Sequence, residues 1–127
     1  LKIRKVFLYD EPLVSEIEIK NLSKFIEKTL DVQVEIRKHF FEHFRSDKNI
    51  ARELASLRIF NPHTSFEKHI PTKEEINFEE ESFINNPIGN NITLYDGFEL
   101  QNLLKEIIPQ EELSLDQFHL IFTTRLT

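Results

Sequence analysis

Apolar residues recur along this 127-residue chain at two spacings, and the switches between them mark its elements. Residues 3–10, IRKVFLYD, are rich in β-branched and aromatic side chains and stop at Asp10-Glu11-Pro12, which reads as a strand. The unbroken run from Val6 to Tyr9 predicts burial on both faces, as in a parallel sheet. In SEIEIKNLSKFIEKTL, Ile19, Leu22 and Ile26 fall at helical spacing, and Ser15 and Glu18 have the spacing of a capping box. That predicts a helix with one face on the sheet. VQVEIR (32–37) alternates, with Val32, Val34 and Ile36 to one side, and reads as a second strand. The β-α-β crossover so formed is expected to be right-handed.

Asp47 is placed to cap a helix over KNIARELASLRI, with Ile50, Leu54 and Leu57 as its stripe and Pro62 barring continuation beyond Asn61. Thr72 and Glu75 have capping-box spacing for a short helix, whereas INFEEESFI fits neither period. NNPIGNN reads as a turn or exposed loop. The acidic run Glu79–Glu81 reads as a solvated face. NITLY (91–95) predicts a strand, and Asp96 a cap with Glu99 in the third helical position. Leu100, Leu103, Leu104, Ile107 and Ile108 then form a wide apolar face that Pro109 ends. QFHLIF (117–122) predicts a buried strand that runs into the polar Thr123, Thr124 and Arg125. Two β-α-β units joined through extra helices imply one α/β domain over residues 1–127. Its sheet is expected to be mostly parallel, of about four strands, with helices on its faces.

Composition narrows the function. Hydrophobic residues make up 39% of the chain and include 12 Phe, enough for a packed core and too much for disorder. No apolar run approaches the roughly 18–20 residues of a membrane span. The opening LKIRKVFLYDEP reaches charge too early for a signal peptide. Cysteine is absent, which removes disulfides, thiolate metal sites and cysteine nucleophiles, and suits a cytoplasmic protein. A net charge of −6, with bases scattered among acids, opposes binding to nucleic acid. The two glycines, Gly89 and Gly97, cannot build a glycine-rich phosphate loop. The chain starts without Met and stops within FHLIFTTRLT, an apolar run of the kind that continues to a covering element. A fragment of a longer chain is therefore expected.

Ligands of open α/β sheets bind beyond the carboxyl ends of parallel strands. If the four strands are parallel, that rim holds Asp10, Glu11, Arg37, Lys38, His39, Asp96, Thr123, Thr124 and Arg125. Each also has a plainer explanation: Asp96 as a cap, Asp10-Glu11-Pro12 as a turn, Arg37-Lys38 as solvated bases. Arg125 carries the most chemistry, because an Arg fork can hold a carboxylate or a peptide carbonyl.

RKHFFEHFRSD carries His39, Glu42 and His43 in the order H-x-x-E-H used by some zinc peptidases, where both His share a helix face and the Glu is the base. Phe40, Phe41 and Phe44 already claim the buried face, the segment has barely two turns, and no separate Glu stands out as third ligand. It reads as an amphipathic helix that buries its phenylalanines, and no metal is assigned to it. His63 and His69 fall in a Pro-flanked loop, and His119, inside an apolar strand, reads as a satisfied core histidine. No Ser sits on a strand-to-helix elbow, so Ser-His-Asp catalysis has no support.

At IRKVFLYDEP, FFEHF…ARELASLRIFNP, LYDGFELQNLLKEIIP and DQFHLIFTTRLT the chain resembles an archaeal family of uncharacterised proteins classed as candidate metallopeptidases. The likeness covers nearly the whole chain, and the last two segments are its most specific. The order of elements is more distantly similar to the N-terminal half of the archaemetzincin zinc peptidases. What the resemblance implies is a metzincin-like N-terminal scaffold, with Thr123–Arg125 leading toward a cleft. Zinc and its catalytic residues would come downstream of Thr127, since H-E-x-x-H occurs nowhere here. The alternative expectation is a non-catalytic α/β binding or interaction domain that self-associates or holds a peptide at its strand-end rim.

Overall fold

The computed structural model describes residues 2–10, 18–64, 67–83, 93–123 and 125–127. In chain order the elements are β1 (Lys5–Tyr9), α1 (Ile19–Leu30), β2 (Gln33–Arg37), α2 (Phe40–His43), α3 (Lys48–Ser56), β3 (Arg58–Ile59), α4 (Lys73–Glu81), β4 (Leu94–Tyr95), α5 (Gly97–Ile107) and β5 (Gln117–Ile121). Short 3-10 turns lie at Pro62–Thr64 and Gln110–Glu112. The chain divides into two compact units, one made of Leu1–Phe44 and Ile108–Thr123, the other of Arg45–Ile107 and Thr124–Thr127. The protein is α/β.

In the first unit β1 lies between β2 and β5 in a parallel sheet. Tyr9 is in register with Arg37 on one side and Ile121 on the other. Side chains alternate across a strand, so this register sorts the sheet into two faces. Val6, Leu8, Val34 and Leu120 share one face, and α1 closes it with Ile19, Leu22 and Ile26. Leu8 is fully buried, a burial of about 1.5–3 kcal/mol relative to exposure. Phe7, Tyr9, Glu35, Arg37 and His119 share the other face. The expected burial of β1 on both sides is met, since Val6 through Tyr9 are all buried. Asp31 ends α1 in the left-handed region, φ 52°, which a short polar side chain tolerates. Glu18 is the N-cap of α1 rather than its third residue. Ser15, the other half of the expected box, lies outside the described residues.

In the second unit Asp47 caps α3, its carboxylate accepting from the Asn49 and Ile50 amides at 2.9 and 3.2 Å. Ala51, Leu54 and Ala55 are buried, and α3 packs against α4. The capping box of α4 is complete: Thr72 Oγ1 accepts from the Glu75 amide, and the Glu75 carboxylate accepts from the Thr72 amide. Asp96 accepts from the Phe98 and Glu99 amides at the start of α5, as its sequence position predicts.

Three expectations are corrected here. The described part of NITLY is not a fourth parallel strand: Leu94 and Tyr95 pair antiparallel with Ile59 and Arg58 in a separate two-stranded sheet, and Asn91 and Ile92 lie outside the described residues. The pattern of a short apolar run specifies strand but not partner, and the described parallel sheet has three strands. α3 stops at Ser56 rather than running through LRI, because Arg58 and Ile59 leave the helix to make that pairing. Glu79, read as part of a solvated face, is fully buried.

Candidate functional site

The polar face of the parallel sheet draws together Tyr9 from β1, Arg37 from β2 and His119 from β5. Each sits at a strand position facing the segment that contains Glu112. Arg37 Nη1 donates to Tyr9 Oη at 2.9 Å and to Glu112 Oε1 at 3.0 Å, and Nη2 donates to the second oxygen of the same carboxylate. Its Nε donates to Glu35. The guanidinium lies 4.0 Å above the Phe7 ring, and the side chain is 7% exposed. Tyr9 Oη is 2.8 Å from His119 Nδ1, while His119 Nε2 is 2.7 Å from the Glu112 carbonyl. A carbonyl only accepts, so His119 Nε2 donates to it, and Nδ1 is the nitrogen that meets the Tyr9 hydroxyl. His119 also stacks on Phe7, with centroids 4.6 Å apart. It is a satisfied histidine, as its place in the sequence implied.

The electrostatics follow from this geometry. Burial opposes the Arg37 charge, but the bonds to Glu112 and Glu35 outweigh it and push the pKa up. The same Arg37 bonds hold the Glu112 and Glu35 carboxyls below the ordinary carboxylate range. Burial lifts the Tyr9 phenol to about 12 against the pull of Arg37. Burial and then the Arg37 charge hold His43 below an ordinary histidine. The cluster is thus committed within itself: it ties the Gln110–Glu112 turn to the sheet through one bidentate pair.

The second unit has its own cluster around Glu79. The carboxylate accepts from Arg58 Nη2 at 3.1 Å, from Arg125 Nη2 at 2.8 Å and from the Tyr95 hydroxyl. Arg125 Nη2 also donates to Ser82 Oγ at 2.7 Å. Arg58 reaches Glu75, which His69 Nε2 also meets at 2.9 Å. Burial, then the Glu79 charge, raises the Tyr95 phenol to about 12. Elsewhere in this unit a groove of about 480 Å³ is lined by Glu53, Asp96, Glu99 and Glu106, an acidic surface with Lys68 paired to Glu53.

The residues of the expected rim belong to both units. Asp10, Arg37, His39 and Thr123 follow the carboxyl ends of the three parallel strands in the first unit. Asp96 and Arg125 belong to the second unit. Glu11 and Thr124 lie outside the described residues. The Arg125 fork does hold a carboxylate, but that of Glu79 in its own chain. Tyr9, Glu35, Glu112, Arg58, Glu79 and Tyr95 were not singled out by the sequence. A period-2 reading of β1 and β2 would have put Tyr9 and Arg37 on strand ends together, whereas nothing local announces Glu112.

The H-x-x-E-H segment takes an unexpected form. α2 is a single turn, Phe40–His43, and His39 stands before it as N-cap with φ −45° and ψ 137°. The His39 ring lies edge-on to Phe41, 5.6 Å between centroids. The His43 ring lies against Phe44 at 4.7 Å and Tyr9 at 6.0 Å. Glu42 pairs with Lys38 at 3.6 Å. Among the described residues, no three His, Asp or Glu side chains are gathered as a metal ion needs. These residues do not fit a metal centre.

Residues 2–127 match the model of the Probable metallopeptidase family (DUF6775). Comparison with curated proteins gives no match, and neither does comparison with solved structures. With essentially its full length covered by that one family model, the chain belongs to this probable metallopeptidase family.

Proposed function

We propose that this chain is the N-terminal scaffold of a zinc-dependent peptidase whose metal ligands and general base are supplied downstream of residue 127. The family match across residues 2–127 carries the reading. On this reading the metal chemistry lies outside the described residues, among which no three His, Asp or Glu side chains are gathered. A parallel sheet backed by α1 suits the metzincin-like N-terminal half. On this reading the first unit's strand-end rim, which includes Asp10 and Thr123, meets the peptide, while Arg37 holds Glu35, Glu112 and Tyr9. No described helix is long and apolar enough to cross a membrane, and a cytoplasmic location is part of the proposal.

The test compares the product of the whole gene with the 127-residue chain. Metal analysis and cleavage of a mixed peptide library are expected to find zinc and hydrolysis in the former and neither in the latter. A whole-gene product that is free of zinc after gentle purification, and inert toward peptides with zinc restored, overturns the proposal.

A further inference from the structure

We infer that His39-Phe40-Phe41-Glu42-His43 is an aromatic cap on the carboxyl end of β1 and not the segment that binds this family's metal. The inference takes the metallopeptidase reading as its starting point and assigns the one zinc-peptidase-like motif in the chain. In an H-x-x-E-H site both imidazoles project from one helix face toward a shared ion, with each nitrogen about 2.0–2.1 Å from it. Here the helix begins one residue too late. The ψ of His39 is 137°, whereas a helical residue needs about −42°. Rotating it into the helix would redirect the chain that leads to Phe40 and Phe41, which are 0% and 5% exposed.

The side chains confirm different employment. Phe40 meets the Tyr9 ring edge-on at 5.1 Å and Phe44 at 4.9 Å, so the turn is anchored by aromatic contacts. The two imidazoles face different partners, Phe41 for His39 and Tyr9 with Phe44 for His43. Glu42, the would-be base, is exposed and turned to Lys38. The turn instead packs on the Tyr9 ring through Phe40 and His43.

Cobalt(II) titrated into the 127-residue chain, followed by visible absorption, tests this without reference to activity. Weak octahedral cobalt absorption alone, or a tetrahedral spectrum that survives both His39→Ala and His43→Ala, is the expected result. A tetrahedral spectrum abolished by either substitution in a folded variant overturns the inference. Should a variant fail to fold, zinc titration of the unmodified chain followed by the imidazole NMR signals decides instead. Unmoved His39 and His43 signals support the cap, and signals of both moving together at one equivalent refute it. Phe40→Ala is expected to lower the thermal midpoint more than His39→Ala and His43→Ala combined, and the reverse order also counts against the cap. These outcomes are separate from the zinc content of the whole-gene product, on which the proposed function stands or falls.

Discussion

Tyr9 and Tyr95 are the chain's two tyrosines, and both phenols are buried at the heart of a charged cluster. Both are raised to about 12, against about 10 in an unfolded chain. A group whose folded pKa is raised stabilises the fold fully below its unfolded value and loses that contribution as pH rises through the folded one. Alkaline titration of the phenolate absorbance should therefore show neither tyrosine ionising near pH 10, with loss of structure accompanying ionisation toward pH 12. A simple step near pH 10 in folded protein would contradict the two clusters. Glu79 gives a second test at this scale. Glu79→Ala leaves Arg58 and Arg125 buried against an empty position, a loss of about 3–5 kcal/mol. Glu80→Ala, on the exposed side of the same helix, should change stability by less than about 0.5 kcal/mol. Urea unfolding of the pair measures the contrast. Nothing in the run Glu79-Glu80-Glu81 distinguishes these two residues; only the arginines that arrive from β3 and from the 125–127 segment do.

Elements were the most legible level because caps and periodicities act over three or four residues. Asp47, Thr72 and Asp96 all cap the helices expected of them, and Pro109 follows the end of α5. Thr72→Ala should cost about 1 kcal/mol by removing the acceptor for the Glu75 amide. Its thermal midpoint should fall and Thr72→Ser should largely restore it; an unchanged midpoint in the Ala variant would mean that the box contributes nothing. Where the local pattern failed, a distant partner intervened. Arg58 and Ile59 fall within the stretch expected to be helical, yet they pair with Tyr95 and Leu94, more than thirty residues away. The same pairing withdrew NITLY from the parallel sheet.

At the scale of the whole molecule, stability against pH reflects these networks together. The Glu112 carboxyl is held below the ordinary range by Arg37. A depressed folded pKa contributes stability above the unfolded value, about 4.3, which is lost as pH falls through the folded value. Acid unfolding of Glu112→Gln should therefore depend less steeply on pH below about 4 than that of the unmodified chain. Circular dichroism across an acid series measures this, and parallel curves would show that the Arg37–Glu112 pair does not link folding to protons.

The amino-acid sequence by itself determined most of the elements, the caps Asp47, Thr72 and Asp96, the burial of β1 and the ordinary role of His119. Those properties depend on neighbours within a turn or on a repeat of two or 3.6 residues. Only the tertiary structure decided which strands pair, which acids are buried and what each arginine holds. Tyr9 meets His119 across 110 positions, Arg37 meets Glu112 across 75 and Glu79 meets Arg125 across 46. No local spacing encodes such contacts, because they exist only once separate stretches of backbone have been packed side by side.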